Sequence, residues 1–289
     1  VYQIHLGRVG FSGVYYNEDL LAENGIEVPT TWSELVAACE TLTSANIPGM
    51  TAGGGDGWPI FVGAYGLLGS AFPDQAALVE GLWTGDIQYT GEEWLDLLGK
   101  YQVYSRDMME PGASALPGDG APGRFASGAV AMFPGGTWYG PAIEGLEPAF
   151  EWGYMPFPGS DDPAMNQSMF GKYDQGWAIA ATSGKQDQAV RYLEAFSEPE
   201  SYQAFVDAVG PIPTQPGATL NTKIGEELAP YLDNFELGFE VVWTQPKGMG
   251  QFGAPPLVNM FQPFGTFDDP QAAAEQAQSD LDSGLDAIR

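Results

Sequence analysis

Tryptophan and tyrosine side chains stand beside glycine-rich turns at two places in this sequence. Trp58 follows Asp56 in the string GGGDGWP, and Trp138 precedes Tyr139 in the string PGGTWY. Glycine lets a backbone approach a ligand closely, and an aromatic ring offers it a flat apolar face. A carboxylate such as that of Asp56 can accept hydrogen bonds from two hydroxyls. The combination suits a ligand with apolar C–H faces and a rim of hydroxyls, which describes a sugar.

The residues and motifs of several common catalytic sites are missing from this sequence. His5 is the one histidine and Cys39 the one cysteine, which excludes a His-rich zinc site and a Cys/His dyad. Cys39 lies on the apolar side of a predicted helix, and we interpret it as a core residue. The strings HExxH and GxSxG do not occur, and the glycines around Lys185 lack the spacing of a phosphate-binding loop. We therefore predict a protein that is not an enzyme and that needs no cofactor and no metal.

Two other classes of protein remain as alternatives. A glycoside hydrolase needs only two carboxylates across a sugar cleft, and it would share the aromatic platforms. The sequence does not exclude such a pair, because it contains 38 Asp and Glu residues. An adhesion module is the third interpretation, and the aromatic residues beside glycine turns argue against it.

The charge of the chain is strongly negative. Ten Lys and Arg residues stand against 38 Asp and Glu, which gives a formal net charge of −28. A field of this sign repels phosphate backbones and anionic lipid surfaces, so we predict no nucleic-acid partner and no peripheral membrane binding. Dispersed carboxylates usually form a solvated surface, and we interpret this acidic protein in that way. The sequence has no apolar run long enough to span a bilayer.

Several helices are predicted from their start signals. Asn17 is expected to cap the helix that follows it, and Thr31 with Glu34 has the spacing of a capping box. Thr90 with Glu93 repeats that pattern before another apolar stripe. A further stripe at helical spacing comprises Ala189, Val190, Leu193 and Phe196.

Strands are predicted between these helices, at residues 13–16, 129–133, 152–155 and 177–181. They are separated by turns and by helical stretches. This alternation favours an α/β fold with a sheet covered by helices over an all-β sandwich.

Three segments resemble, in order along the chain, the family 1 extracellular solute-binding proteins, the sugar-binding group that includes maltose-binding protein. The first is GVYYNEDLLAENGIEVPTTWSELVAACETL at 13–42, with a strand ending in Tyr-Asn and a Pro-Thr-Trp helix start. The second is FASGAVAMFPGGTWYGPAI at 125–143, and the third is GWAIAATSGKQDQAVRYLEAFSEPESYQAF at 176–205. The C-terminal DDPQAAAEQAQSDLDSGL also resembles the closing helix of the family, so the likeness covers nearly the whole chain.

The resemblance implies a periplasmic-binding-protein-like fold of type II, with two α/β lobes joined by hinge strands and a ligand cleft between them. Residues 12–173 and 214–289 are then expected to form the second, C-terminal lobe. Residues 1–11 and 177–210 are expected to belong to the first lobe and the hinge. The family's Tyr-Asn strand normally follows most of the first lobe, whereas here it appears almost at once. We therefore expect most of the N-terminal lobe to be missing from this stretch.

The resemblance also implies a function. A protein of this family captures a sugar or oligosaccharide and delivers it to the membrane permease subunits of an ABC importer. Its location is extracytoplasmic, periplasmic or at the cell surface, with lipid anchoring through a segment outside this stretch left open.

The matching position of the family holds a tryptophan that stacks on sugar, which makes Trp138 the first candidate for the site. Trp243 lies where the family often places another stacking aromatic, while Trp177 is expected to pack. Phe11 and Ser12 precede one predicted crossing strand, and Tyr173 and Asp174 precede the other, so all four are expected to face the cleft. The predicted ligand contacts are Trp138, Trp58, Trp243, Asp174, Asp56, Tyr173, Tyr139, Phe11, Ser12 and Gln251.

Overall fold

Two three-stranded sheets organise the computed structural model, which describes residues 4–239 and 260–286. The strands are β1 (Ile4–Gly10), β2 (Gly13–Asn17), β3 (Met132–Pro134), β4 (Trp152–Pro156), β5 (Met169–Trp177) and β6 (Phe235–Leu237). In the first sheet β5 lies between β1 and β6, antiparallel to β1 and parallel to β6. In the second sheet β2 lies between β3 and β4 and is antiparallel to both.

Helices separate and cover these strands, as the predicted α/β class requires. They are α1 (Glu18–Glu23), α2 (Trp32–Ser44), α3 (Ile60–Ala71), α4 (Gln75–Thr84), α5 (Glu92–Val103), α6 (Gly120–Ala126), α7 (Gly140–Gly145), α8 (Gln186–Phe196), α9 (Pro199–Val209), α10 (Lys223–Leu228) and α11 (Pro270–Asp286). The strand β2 runs directly into α1, and β1 is joined to β2 by two residues. The prediction of mixed helix and sheet is confirmed.

Two of the three predicted helix starts are present. The Asn17 side chain accepts a hydrogen bond from the amide of Leu20 at 2.9 Å. The Thr31 hydroxyl accepts from the amide of Glu34, and the Glu34 carboxylate accepts from the amide of Thr31, at 3.3 and 3.1 Å. This reciprocal pair is the capping box that the sequence predicts, and it fixes where α2 begins.

The third predicted start is wrong. The residue that caps α5 is Gly91, and it makes no side-chain cap. The amide of Gly91 donates to the carbonyl of Gln88 at 2.9 Å, so a tight turn occupies the place where Thr90 would have capped. The Thr90 hydroxyl bonds to the Gln88 side chain instead, at 3.5 Å.

The predicted strands at 13–16 and 152–155 are confirmed, and the other two need correction. The strand β3 starts at Met132 rather than at 129, because Gly128, at φ 72°, still belongs to the turn after α6. The predicted strand at 177–181 is wrong, since β5 ends at Trp177 opposite Ile4. A turn with a hydrogen bond from the amide of Ser183 to the carbonyl of residue 180 follows it.

Two apolar clusters form the core. The larger one includes Leu35 of α2, Leu68 of α3, Trp94 of α5 and Leu281 of α11, all nearly inaccessible to solvent. Cys39 belongs to this cluster, and burial raises the pKa of its thiol to about 12, so the interpretation of Cys39 as a core residue is confirmed. The smaller cluster packs on one face of the second sheet, whose other face contributes to the larger cluster.

The helix α8 is the exception to this packing, because none of its residues is buried. Val190 and Tyr192 are 44% and 54% exposed. Trp177 lies with its ring 5.6 Å from that of Tyr192, and it remains 39% exposed. Trp177 therefore packs against another aromatic ring, yet its position is not interior.

Candidate functional site

A pocket of about 520 Å³ lies where β1 and β5 pass the start of α3 and the turn that carries Trp138. Its volume falls within the range of about 300–1,000 Å³ that is usual for small-molecule sites. Trp58 and Trp138 form one wall, and Phe11 and Val9 contribute apolar surface beside them. The short segment after α9, at Pro211, closes another side.

Trp58 and Trp138 meet at an angle and form an aromatic corner. Their ring centroids are 5.9 Å apart and the planes are inclined by 49°. Trp58 is 37% exposed although it is a large apolar side chain. Two inclined rings with accessible faces can hold the apolar faces of a ligand that spans both.

Hydrogen bonds from two buried tyrosines hold the turn that carries Trp138. The Tyr15 hydroxyl donates to the carbonyl of Gly136 and the Tyr154 hydroxyl donates to the carbonyl of Gly135, each at 3.0 Å. Burial raises the pKa of both tyrosines, which keeps them protonated as hydrogen-bond donors. The position of the Trp138 ring thus depends on hydrogen bonds made inside the smaller core.

The polar side of the pocket is supplied by β5. Lys172, Asp174 and Gln175 line it, and the Lys172 ammonium lies 3.5 Å from the Asp174 carboxylate. Both groups are partly exposed, so their ion pair adds little to the stability of the fold. In that position they can donate to and accept from the hydroxyls of a ligand held against the tryptophans.

Four of the predicted contacts, Trp138, Trp58, Asp174 and Phe11, are brought together in this pocket. Three other predicted residues lie close to its walls and bond within the protein. The Asp56 carboxylate accepts from the amide of Gly118 at 2.7 Å, and the Tyr139 hydroxyl donates to the carbonyl of Gly118 at 3.2 Å. The Ser12 hydroxyl, 2% exposed, accepts from the amide of Phe170 at 2.8 Å.

The remaining predictions lie elsewhere. Tyr173 is 47% exposed, and its ring contacts that of His5 at 5.3 Å instead of lining the pocket. Trp243 and Gln251, together with the neighbouring Phe252, lie outside the described residues. Their role as ligand contacts stays a prediction.

Several lining residues were not foreseen from the sequence. Lys172 lies two positions from Asp174, and the two-residue period of a strand could have placed both on one face. Phe61 and Tyr65, four apart on α3, follow Trp58 closely and share a helix face that reaches the pocket. Gln175 had no such signal, because a regular strand would turn it away from Asp174.

Two features are absent from residues 4–239 and 260–286, a metal-binding group of side chains and a membrane-spanning helix. No group of three or more His, Cys, Asp or Glu side chains there is arranged to hold a metal ion. No helix in that part of the chain is both long and apolar enough to cross a membrane.

Similar proteins were found at the level of structure and of sequence. The solved structure of a chitin oligosaccharide binding protein superposes with a TM-score of 0.83 at 22% identity, covering 99% of this chain and 72% of the other. The protein RafE in complex with raffinose gives a TM-score of 0.81 at 18% identity, covering 99% and 73%. These likenesses establish the fold, which is the α/β fold of the two-lobed periplasmic-binding-protein type, and confirm the predicted class.

Among curated proteins, the multiple sugar-binding protein of Streptococcus mutans is 25% identical over 216 residues. The match covers 73% of this chain and 50% of the relative, so the chain spans about half the length of that protein. The family model described as bacterial extracellular solute-binding protein matches residues 6–203, well over half of the chain. The family resemblance seen in the sequence is thereby confirmed, and the chain belongs to the bacterial extracellular solute-binding protein family.

Proposed function

We propose that this chain is the ligand-binding part of a receptor that captures a sugar or oligosaccharide for an ABC importer. The aromatic corner of Trp58 and Trp138 carries the proposal, because it faces a pocket whose other side presents Lys172 and Asp174. The two tryptophan rings would contact the flat apolar faces of a sugar, while Lys172 and Asp174 would form hydrogen bonds with its hydroxyls. The names of similar proteins, which include raffinose and chitin oligosaccharide as ligands, support the same class of ligand.

The division of the chain into lobes is part of this proposal. Residues 12–173 and 214–289 form the second lobe, and residues 1–11 and 177–210 belong to the first lobe and its hinge. The exposed apolar residues Trp177 and Tyr192, whose rings are 5.6 Å apart, support the division, because contiguous exposed apolar surface usually marks a contact area. A ligand that touches both lobes would shift the population toward a closed form, which the permease subunits would recognise.

The proposed location follows from the family, whose members are extracellular. The receptor works outside the cytoplasmic membrane, in the periplasm or at the cell surface. Attachment through a lipid on another segment of the polypeptide is compatible with this site. The permease subunits of an importer are its proposed protein partners.

The glycoside hydrolase alternative finds less support. Asp174 is the carboxylate among the described residues that line the pocket, and it is paired with Lys172. Glycoside hydrolysis uses two carboxyl groups on opposite sides of the scissile bond. The arrangement therefore favours binding over cleavage.

Calorimetric titration against mono- and oligosaccharides tests the proposal. We expect at least one sugar to bind in the micromolar range and to be recovered intact from the cell. Amino acids and short peptides serve as control ligands and should give no heat of binding. If no sugar binds, or if new reducing ends appear during titration, the receptor function is contradicted.

The Gly136→Ala variant tests how Trp138 is positioned. A methyl group at Gly136 would lie 2.0 Å from the Trp138 ring, so the ring must move away from its place in the corner. The backbone there, at φ −78°, tolerates alanine. We expect sugar affinity to fall about tenfold, equivalent to about 1.4 kcal/mol of binding free energy.

The matched control is Gly145→Ala, at the end of α7, where an added Cβ meets no atom within 4 Å. Its affinity should equal that of the unmodified protein. Equal affinities for both alanine variants would contradict the role given to the turn at Gly136.

A further inference from the structure

One residue of the pocket has an unusual backbone conformation for its place in the fold. Three non-glycine residues among those that the structure describes have positive φ angles: Asn46 at 60°, Glu147 at 49° and Gln175 at 44°. Asn46 follows the end of α2 and Glu147 follows the end of α7, two residues past the last helical one. Left-handed conformations are common just there. Gln175 instead lies inside the strand β5.

This conformation coincides with an interruption of the pairing between β1 and β5. In a regular strand, Asp174 and Gln175 would point to opposite faces. Both nevertheless line the pocket. The ladder between β1 and β5 pairs Gly7 with Asp174 and His5 with Gly176 in one register, and Leu6 and Gln175 between them form no ladder pair. The left-handed backbone at Gln175 lies at this interruption of the ladder, where the consecutive polar residues Asp174 and Gln175 line the same pocket.

Glutamine is sterically unfavourable at a position with positive φ, if the backbone conformation alone is considered. Glycine adopts positive φ without steric cost, and asparagine does so more readily than glutamine. Gln175 is exposed to solvent at the pocket, so its amide is open to a ligand. Strained residues of this kind concentrate where a ligand is held.

We propose that Gln175 determines ligand specificity by contacting the sugar through its side-chain amide. The inference rests on the proposed function of the pocket. A primary amide offers one acceptor and two donor hydrogens, which fits two neighbouring hydroxyls of one sugar ring. With Lys172 and Asp174 it forms a polar strip opposite the aromatic corner. A site built to hydrogen-bond a hydroxyl discriminates against analogues that lack it.

The variant Gln175→Gly separates the backbone from the amide. Glycine relieves the steric conflict at positive φ, so we expect the unfolding temperature to stay the same or to rise by about 2 °C. The affinity for the best sugar of the titration panel should fall about tenfold. The preference for that sugar over its deoxy analogues should shrink by a similar factor.

Two further variants complete the experiment. Glu147→Gly makes the same exchange at a left-handed position outside the pocket, and it should leave sugar affinity unchanged. Gln175→Glu keeps the size of the side chain and removes its two donor hydrogens, so it should weaken binding without relieving the backbone. This second variant keeps the amide testable if Gln175→Gly were to fold poorly.

The outcomes distinguish this inference from the function on which it rests. If the unmodified protein binds a sugar and both Gln175 variants bind it equally well with unchanged selectivity, the role of Gln175 is overturned and the receptor function stands. If the unmodified protein binds no sugar, the receptor function and the role of Gln175 are both contradicted. Weaker binding by both Gln175 variants, with Glu147→Gly unaffected, supports the inference.

Discussion

Replacing Trp58 and Trp138 together with alanine is expected to lower sugar affinity by about 300-fold. A ring that covers about 80 Å² of apolar ligand surface contributes about 2 kcal/mol at about 25 cal/mol per Å². Each single replacement should therefore weaken binding about 30-fold. The two rings are 5.9 Å apart and share one ligand, so their effects should not be fully additive.

Isothermal titration of the two single variants and the double variant measures both the losses and their coupling. The matched control is Trp177→Ala, because Trp177 is 39% exposed, close to the 37% of Trp58, and does not line the pocket. Its affinity should remain within about twofold of that of the unmodified protein. A loss at Trp177 as large as that at Trp138 would show that the aromatic corner is not the binding surface.

The part of the site that can be predicted from the sequence consists of residues marked by features of their immediate sequence neighbours. Trp58 and Trp138 were found because a tryptophan beside glycines marks a close approach of backbone to ligand. Phe11 and Asp174 are predicted because each is expected to precede a crossing strand. For Asp174 that strand is misplaced, since Asp174 lies within β5. All four line the pocket in the structure.

The same reasoning failed where the outcome depends on distant contacts. The run at 177–181 is apolar enough for a strand, yet β5 ends where its pairing with β1 ends, at Ile4 and Trp177. The motif at Thr90 has the correct spacing for a cap, but a bond between Gly91 and the carbonyl of Gln88 begins the helix differently. In the first case tertiary strand pairing overrides strand propensity, and in the second turn geometry overrides the capping pattern.

Gln175 illustrates a third kind of limit. Its position in the sequence, between Asp174 and Gly176, is that of an ordinary strand residue. Gln175 lines the pocket with a positive φ that no sequence pattern predicts for glutamine. The position of Lys172 at the pocket can be predicted from that of Asp174 by the two-residue period of a strand. The position of Gln175 cannot, because this period would place it on the other face.

A polar cluster of Thr51, Glu110 and Arg124 links the segment before Trp58 to α6. The Glu110 side chain is 8% exposed and accepts from the Thr51 hydroxyl at 2.6 Å. The Arg124 guanidinium donates to both Glu110 oxygens, with its shortest contact at 2.7 Å. Thr51 itself is completely buried, so its hydroxyl depends on this carboxylate.

The variant Glu110→Ala is expected to lower the free energy of unfolding by about 2.5 kcal/mol. The replacement leaves the Thr51 hydroxyl buried without its acceptor and removes a bidentate, charge-assisted contact. Arg124 is 42% exposed and regains water, which keeps the loss below that of a fully buried pair. Urea unfolding at pH 7 measures the difference. Glu151→Ala, which breaks the exposed pair with Lys223, is the control and should leave stability unchanged.

The pH dependence of the stability lost in Glu110→Ala shows whether the ionised Glu110 carboxylate is responsible for it. Burial acts to raise the pKa of Glu110, but the hydrogen bonds from Arg124 and Thr51 and the charge of Arg124 outweigh it and hold the pKa below the usual value. A lowered folded-state pKa contributes stability above the unfolded-state value, about 4.3 for glutamate, and loses it as pH falls through the folded-state value. The stability gap between the unmodified protein and Glu110→Ala should therefore be constant between about pH 6 and 8 and narrow below about pH 4. A gap of equal size at pH 3 and pH 7 would mean that packing, rather than the ionised carboxylate, joins these segments.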